Sequence, residues 1–147
     1  MRGTVGERLV ESDLAVPLHA VSVTGVVLKD DGRLLAIKRA DDGTWVPPGG
    51  LLERDEEVEQ GVVREVFEET GVTVRPVRLT GVYKNVSLRT ITIALLCHVE
   101  AGEPRVSDEA VDVRWLTQKE AELMMPPLRA LRVRDALDSN GPFVRSY

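Results

Sequence analysis

The chain has 147 residues, 43% hydrophobic and 29% charged, which allows one domain with a genuine core and leaves little room for a second. Its net charge of −5 argues against a general surface for nucleic-acid polymers or anionic membranes, because phosphate backbones are met mainly by cations. A small phosphorylated ligand carried in with metal stays open, but Cys97 is the only cysteine, so an internal disulfide or a cysteine-based zinc site does not.

The first 17 residues are weakly patterned and read as an N-terminal arm. They hold no apolar core of signal-peptide length, and no run in the chain is long enough to span a bilayer, so a cytoplasmic protein is expected. From Leu18 the runs HAVSVTGVVL and RLLAIKR read as strands joined at Lys29-Asp30-Asp31-Gly32, a hairpin signal. His19 is a polar residue at a strand end. A second turn over residues 40–44 leads to Trp45-Val46-Pro47-Pro48-Gly49-Gly50, where two prolines and two glycines take the chain out of the sheet. Gly49 and Gly50 allow close backbone approach to a ligand, and a carbonyl at this bend could join a metal shell. Trp45 is as well explained as a core or loop anchor as by substrate contact.

The chemistry concentrates between Gly50 and Val72. A helix over about Glu57–Thr70 places Glu65, Glu68 and Glu69 at i, i+3 and i+4 on one arc, with Val62, Val63, Val66 and Phe67 on the neighbouring, core-facing arc. Like charges at that spacing repel, and Mg²⁺ or Mn²⁺, which take oxygen ligands, would offset the repulsion. A solvated acidic face partnered by Arg64 is the ordinary alternative. Gly61 is costly inside a helix and points to a close helix–sheet contact, and Gly71 ends the helix as a glycine cap.

Beyond it, Val72–Val74 begins a return to strand, and LTGVYKN and TITIALLCHVE read as two more strands around a turn at residues 85–87. Cys97, within the second, is a packed thiol, and His98 is structural. A loop from Ala101 to Glu109 precedes a last strand over Val111–Leu116. Thr117 and Glu120 form a capping box for a short helix reaching about Met125, and Pro126-Pro127 breaks it. A final helix over about Leu128–Leu137 turns Leu128, Leu131 and Val133 to the core and leaves Arg129, Arg132 and Arg134 on a solvated face. Residues 140–147 read as a mobile tail. This order of elements describes an α/β or α+β sandwich, a mixed sheet between helices.

The whole string, Gly50, five residues, Glu56, seven residues, then Arg64-Glu65-Val66-Phe67-Glu68-Glu69-Thr70-Gly71-Val72, resembles the Nudix box at every defining position. The resemblance implies the Nudix sandwich fold in a single domain over 1–147. It also implies hydrolysis of the diphosphate linkage in a nucleoside diphosphate joined to another moiety, with Mg²⁺ or Mn²⁺ as cofactor. Gly50, through its backbone, and Glu65, Glu68 and Glu69 are the implied metal ligands. Glu65 and Glu68 also count as catalytic, together with Arg64, which orients the helix carboxylates, and Glu56 braces the preceding loop. Glu109 is the choice for an extra ligand or the general base, because several Nudix enzymes are similar in supplying an acid from the loop before the last strand; Asp108 and Glu103 compete with it.

Tyr83, Lys84 and Arg39 are the candidate substrate contacts, with strand and turn packing the alternative for Tyr83 and Lys84, and a homodimer is a candidate assembly. Pro76 is the only proline between Pro48 and Pro104, so the downstream proline associated with ADP-ribose hydrolases is not evident and the substrate stays open. The alternative function is a non-catalytic Nudix module that binds a nucleotide as a sensor.

Overall fold

The computed structural model describes residues 16–147, so the expected arm falls almost wholly outside the described residues. Strand β1 (Ala20–Leu28) turns at Gly32, whose φ of 87° suits glycine, into β2 (Leu34–Arg39). The two strands pair at Leu28 and Leu34 and then part. The other end of β1 pairs antiparallel with β4 (Gly49–Leu51), and β2 carries β3 (Trp45–Val46) and β7 (Ala110–Leu116). Strand β6 (Thr90–Ala101) lies parallel to β1 along its whole length and antiparallel to β5 (Thr73–Asn85). A short β8 (Phe143–Ser146) closes that edge, parallel to β5. Parallel and antiparallel pairs in one sheet make this the mixed, α+β arrangement that the element order implied.

Period-2 alternation sorts the sheet between two helical layers. Val23, Val27 and Leu35 pack with Val62 and Val66 of α1 (Val58–Thr70). Leu34 and Ala36 turn the other way, toward α2 (Gln118–Met124) and α3 (Pro127–Ala136), where Ala121, Ala130 and Val133 are buried. Gly25 lets α1 sit close, since a Cβ there would lie 2.9 Å from Val66 Cγ2. The N-terminus of α1 is closed by Gln60 Oε1, which accepts the Glu57 N–H at 2.8 Å, and its C-terminus by Gly71 at φ 76°. The capping box at α2 forms as its sequence specifies: Thr117 N–H donates to Glu120 Oε1, and Glu120 N–H to Thr117 Oγ1.

Five expectations are corrected. Residues 73–85 make one strand rather than two, because register shifts around Pro76 and Thr80 absorb the missing proline donor without ending the pairing. Phe67 is 48% exposed and covered by the Arg105 guanidinium, 5.6 Å from the ring centroid, instead of facing the core. Gly61 is required by the loop before α1 and not by the sheet: a Cβ would lie 2.6 Å from Leu52 Cδ1. The tail is ordered by β8, extended when Tyr147 N–H donates to Lys84 O and Val86 N–H to Tyr147 O. On α3 the expected faces are partly exchanged, for Leu128 is 42% exposed while Arg132 is 7% exposed.

Candidate active site

Four short-range facts place the acidic residues of α1. Glu69 Oε1 accepts the Gly49 N–H at 2.8 Å, tying the helix to β4 across the bend that the prolines create. Glu65 lies against Gly50 so closely that a Cβ on Gly50 would stand 2.6 Å from its carboxylate carbon. Arg64 Nη1 donates to Glu65 Oε1 and to Glu68 Oε1, each at 2.9 Å. The rest of that guanidinium holds Glu56 through two bonds, at 2.9 and 2.6 Å, and donates to Leu51 O at 3.1 Å. The three carboxylates of the expected arc therefore differ: Glu65 and Glu69 are buried, and Glu68 is the outward one.

Their electrostatics follow from these positions. Burial pushes the Glu69 carboxyl up to about 8, reinforced by the nearby Glu65 and Glu109 and opposed by the Gly49 N–H. Glu65 is raised for the same first reason, and Arg64 only partly opposes it. Glu56 moves the other way, held down to about 2 by the Arg64 hydrogen bonds. The site thus contains carboxylates whose ionisation is unfavourable without a further positive charge.

Of these residues Gly49, Gly50, Leu51 and Glu69 line a cavity of about 590 Å³, and Glu65 stands behind Gly50. Asp108 and Glu109 line the same cavity, Glu109 near enough to Glu69 to help raise its pKa. The cavity floor carries the hydroxyls of Ser22, Thr24, Thr90 and Thr92, from the side of β1 and β6 that faces α3. Ser22 and Thr92 Oγ atoms are 2.6 Å apart. Arg129, Arg132 and Tyr147 line the cavity as well.

Of the expected substrate contacts, Arg39 lines this cavity, with its guanidinium donating to Asp41. Tyr83 is corrected: it is fully buried, and its hydroxyl donates to Asp135 Oδ2 at 2.8 Å, so it has no surface to offer a substrate. Lys84 does not line the cavity either, because it sits where β5 pairs with β6 and β8. Glu109 and Asp108 reach the cavity and Glu103 does not. The sequence reading missed the hydroxyl floor and the two α3 arginines. The alternation Ser22-x-Thr24 and Thr90-x-Thr92 was a signal for the floor, being polar at every second position of strands otherwise apolar.

Among the described residues, no three His, Cys, Asp or Glu side chains converge on one point as a finished metal cage. The donor chemistry nonetheless fits a hard divalent cation: the acids are all oxygen donors, two of them are buried against neighbouring negative charge, and the backbone at Gly50 is bare of a side chain. No helix among the described residues is long and apolar enough to cross a membrane.

Comparison with known proteins agrees with this geometry. Residues 18–136 match the family model of the NUDIX domain. The chain is 53% identical over 131 residues to a MutT-like protein of Streptomyces ambofaciens, covering 89% of this chain and 85% of that one. It is 37% identical over 106 residues to an ADP-ribose pyrophosphatase of Methanocaldococcus jannaschii, covering 67% of this chain and 62% of the relative. A crystal structure of a NUDIX hydrolase from Nitrosomonas europaea superposes with a TM-score of 0.76 at 19% identity, over 88% of this chain and 80% of that one. The chain belongs to the Nudix family.

Proposed function

We propose that this Nudix protein is a pyrophosphohydrolase that cleaves the diphosphate linkage of a nucleoside diphosphate derivative with the help of Mg²⁺ or Mn²⁺. The observation that carries the reading is the pairing of two buried carboxylates, Glu65 and Glu69, with the bare backbone of Gly49 and Gly50, of which Glu69 and the two glycines line one cavity. Glu65, Glu68, Glu69 and the Gly50 backbone would hold the cation. When bound, a divalent cation neutralises charge on diphosphate oxygens and lowers the pKa of a water it holds.

The protein's own part is placement and proton transfer. Arg64 fixes Glu65 and Glu68 relative to each other and clamps the loop before α1 through Glu56. Glu69 is oriented by the Gly49 N–H, so its second oxygen is left for the site. Glu109, which lines the same cavity as Glu69 and lies near it, is the carboxylate that takes the proton of the attacking water. Water then attacks phosphorus, the bond from phosphorus to the bridging oxygen breaks, and the leaving phosphate departs with that electron pair.

The 37% identity to an ADP-ribose pyrophosphatase makes ADP-ribose the first substrate to test. The assay is phosphate-product release from ADP-ribose, nucleotide sugars, nucleoside triphosphates and dinucleoside polyphosphates, with and without Mg²⁺ or Mn²⁺. Metal-dependent turnover of at least one of them is expected. Tight binding with no turnover of any would replace the hydrolase reading with that of a nucleotide sensor.

A further inference from the structure

We propose that Arg129 and Arg132 form a second anion site in the cavity, holding a phosphate or carboxylate that the substrate carries outside the linkage being cleaved. The inference rests on the hydrolase reading and specifies which derivatives the site prefers.

Both arginines lie on α3, three residues apart, and both line the cavity that Glu69 and Glu109 also line. Arg132 is 7% exposed, yet no carboxylate among the described residues pairs with it. Its Nη1 donates to Thr24 Oγ1 at 3.1 Å and its Nη2 to the Tyr147 hydroxyl at 3.4 Å, while the buried Nε has no partner. The Tyr83 ring, with its centroid 5.5 Å from the guanidinium carbon, supports the cation from one face. Arg129 makes no hydrogen bond or ion pair among the described residues, and burial together with the adjacent Arg132 lowers its pKa from the ordinary arginine value.

Buried guanidinium groups are ordinarily paired, and the same region shows how this chain does it when the role is structural. Arg145 grips Asp135 through two bonds, at 2.7 and 2.8 Å, and Arg39 is satisfied by Asp41 and Asp42. Among the described residues no carboxylate forms an ion pair with Arg129 or Arg132. The cavity therefore brings acids, two arginines without a carboxylate partner and neutral hydroxyls into one lining.

The spacing suits one substrate touching both the acids and the arginines. Thr24, which holds Arg132, pairs in register with Gly49, whose N–H is taken by Glu69. The backbone anchors of Arg132 and Glu69 are thus one strand spacing apart, about 5 Å. A diphosphate beside Glu69 would leave its next substituent within reach of the arginines. Guanidinium groups favour planar, multiply hydrogen-bonded anions, so phosphate or carboxylate is the chemistry expected there.

The test has a binding arm and a turnover arm. In the first, inorganic phosphate is titrated into the full chain with chelator present, for wild type, Arg129→Gln and Arg132→Lys. Arg129 is only partly buried and its replacement leaves the core untouched, whereas Arg132→Lys keeps the charge and removes the fork. A loss of affinity of about tenfold or more in both variants is expected, the range for a hydrogen bond to a charged group. Equal affinity in wild type and Arg129→Gln overturns the site.

In the second arm, kcat/KM is compared within matched pairs in the presence of Mg²⁺: ADP-ribose against ADP-ribose 2′-phosphate, and UDP-glucose against UDP-glucuronate. Wild type is expected to prefer the more anionic member of at least one pair by about tenfold, and Arg129→Gln to lose that preference. The first pair reports phosphate and the second carboxylate. Equal turnover within both pairs overturns the inference and leaves the hydrolase reading standing. Phosphate binding that depends on Arg129, in a protein that hydrolyses nothing, keeps the anion site and removes the hydrolase reading.

Discussion

Arg64 clamps Glu56 through a fork of two hydrogen bonds, Nε to Oε2 at 2.9 Å and Nη2 to Oε1 at 2.6 Å. The same guanidinium reaches Glu65 and Glu68 with its remaining nitrogen, so one side chain sets both the loop that precedes α1 and two of the acids on it. Arg64→Lys keeps a charge but cannot reproduce that fork. The expected result is a folded protein with turnover lowered about 10- to 100-fold, as is usual when a group that orients metal ligands is altered. Circular dichroism and steady-state kinetics on one preparation check it.

The same pair gives a pH dependence with a definite sign. The Glu56 carboxyl is held down to about 2 in the folded protein, against an ordinary value of 4.5. Its contribution to stability is therefore complete above about pH 4.5 and is lost as pH falls through about 2. Denaturant titrations between pH 5 and 2 should show a shallower acid loss for Glu56→Gln than for wild type. Parallel curves would separate Glu56 from acid unfolding.

Cation binding should appear as stabilisation, because a ligand that binds only the folded chain raises apparent stability by mass action, about 2.7 kcal/mol at a hundred times its dissociation constant. The melting midpoint is expected to rise with millimolar Mg²⁺ or Mn²⁺, to return with chelator, and to rise less in Glu65→Gln. Identical responses in wild type and variant would put the cation elsewhere.

Cys97 is fully buried in β6, and burial pushes its thiol up to about 12. A thiol reagent at pH 8 should leave it unmodified in the native protein and modify it after denaturation. Modification of the native protein at the rate of a free thiol would contradict the packing.

How much of this the sequence carried differs by residue. The acidic helix, its glycine cap and the α2 capping box were all local patterns, and each formed close to where it was read; the bend formed only at Pro47-Pro48, because Gly49–Leu51 rejoin the sheet by pairing with β1. Arg132 was not legible, since helical periodicity assigns a polar residue to solvent, whereas here the neighbouring space is a polar cavity that an arginine can enter. Tyr83 packs instead of meeting substrate, because its hydroxyl is used up on Asp135, a partner 52 residues away that nothing in the local sequence announces. Strand β8 has only four residues and becomes a strand through pairing with Gly81–Lys84, a contact that no local pattern announces. Glu109 could be chosen over Glu103 by position alone, and the cavity favours it and Asp108 equally.

That last ambiguity yields its own prediction. Glu103→Gln should turn over substrate like wild type, because the residue lies outside the cavity, while Glu109→Gln should fall sharply at saturating substrate and metal. If Asp108→Asn collapses and Glu109→Gln does not, the proton acceptor is Asp108.

The central claim is that the α1 carboxylates serve the reaction and not the fold. Glu69→Gln tests it most directly, because the amide keeps the shape and can still accept the Gly49 N–H. Metal-dependent hydrolysis and circular dichroism are measured on the same sample, beside Glu68→Gln. The account predicts native dichroism with turnover reduced by more than the roughly 100-fold typical of supporting residues. A folded Glu69→Gln protein that hydrolyses at close to the wild-type rate would contradict it.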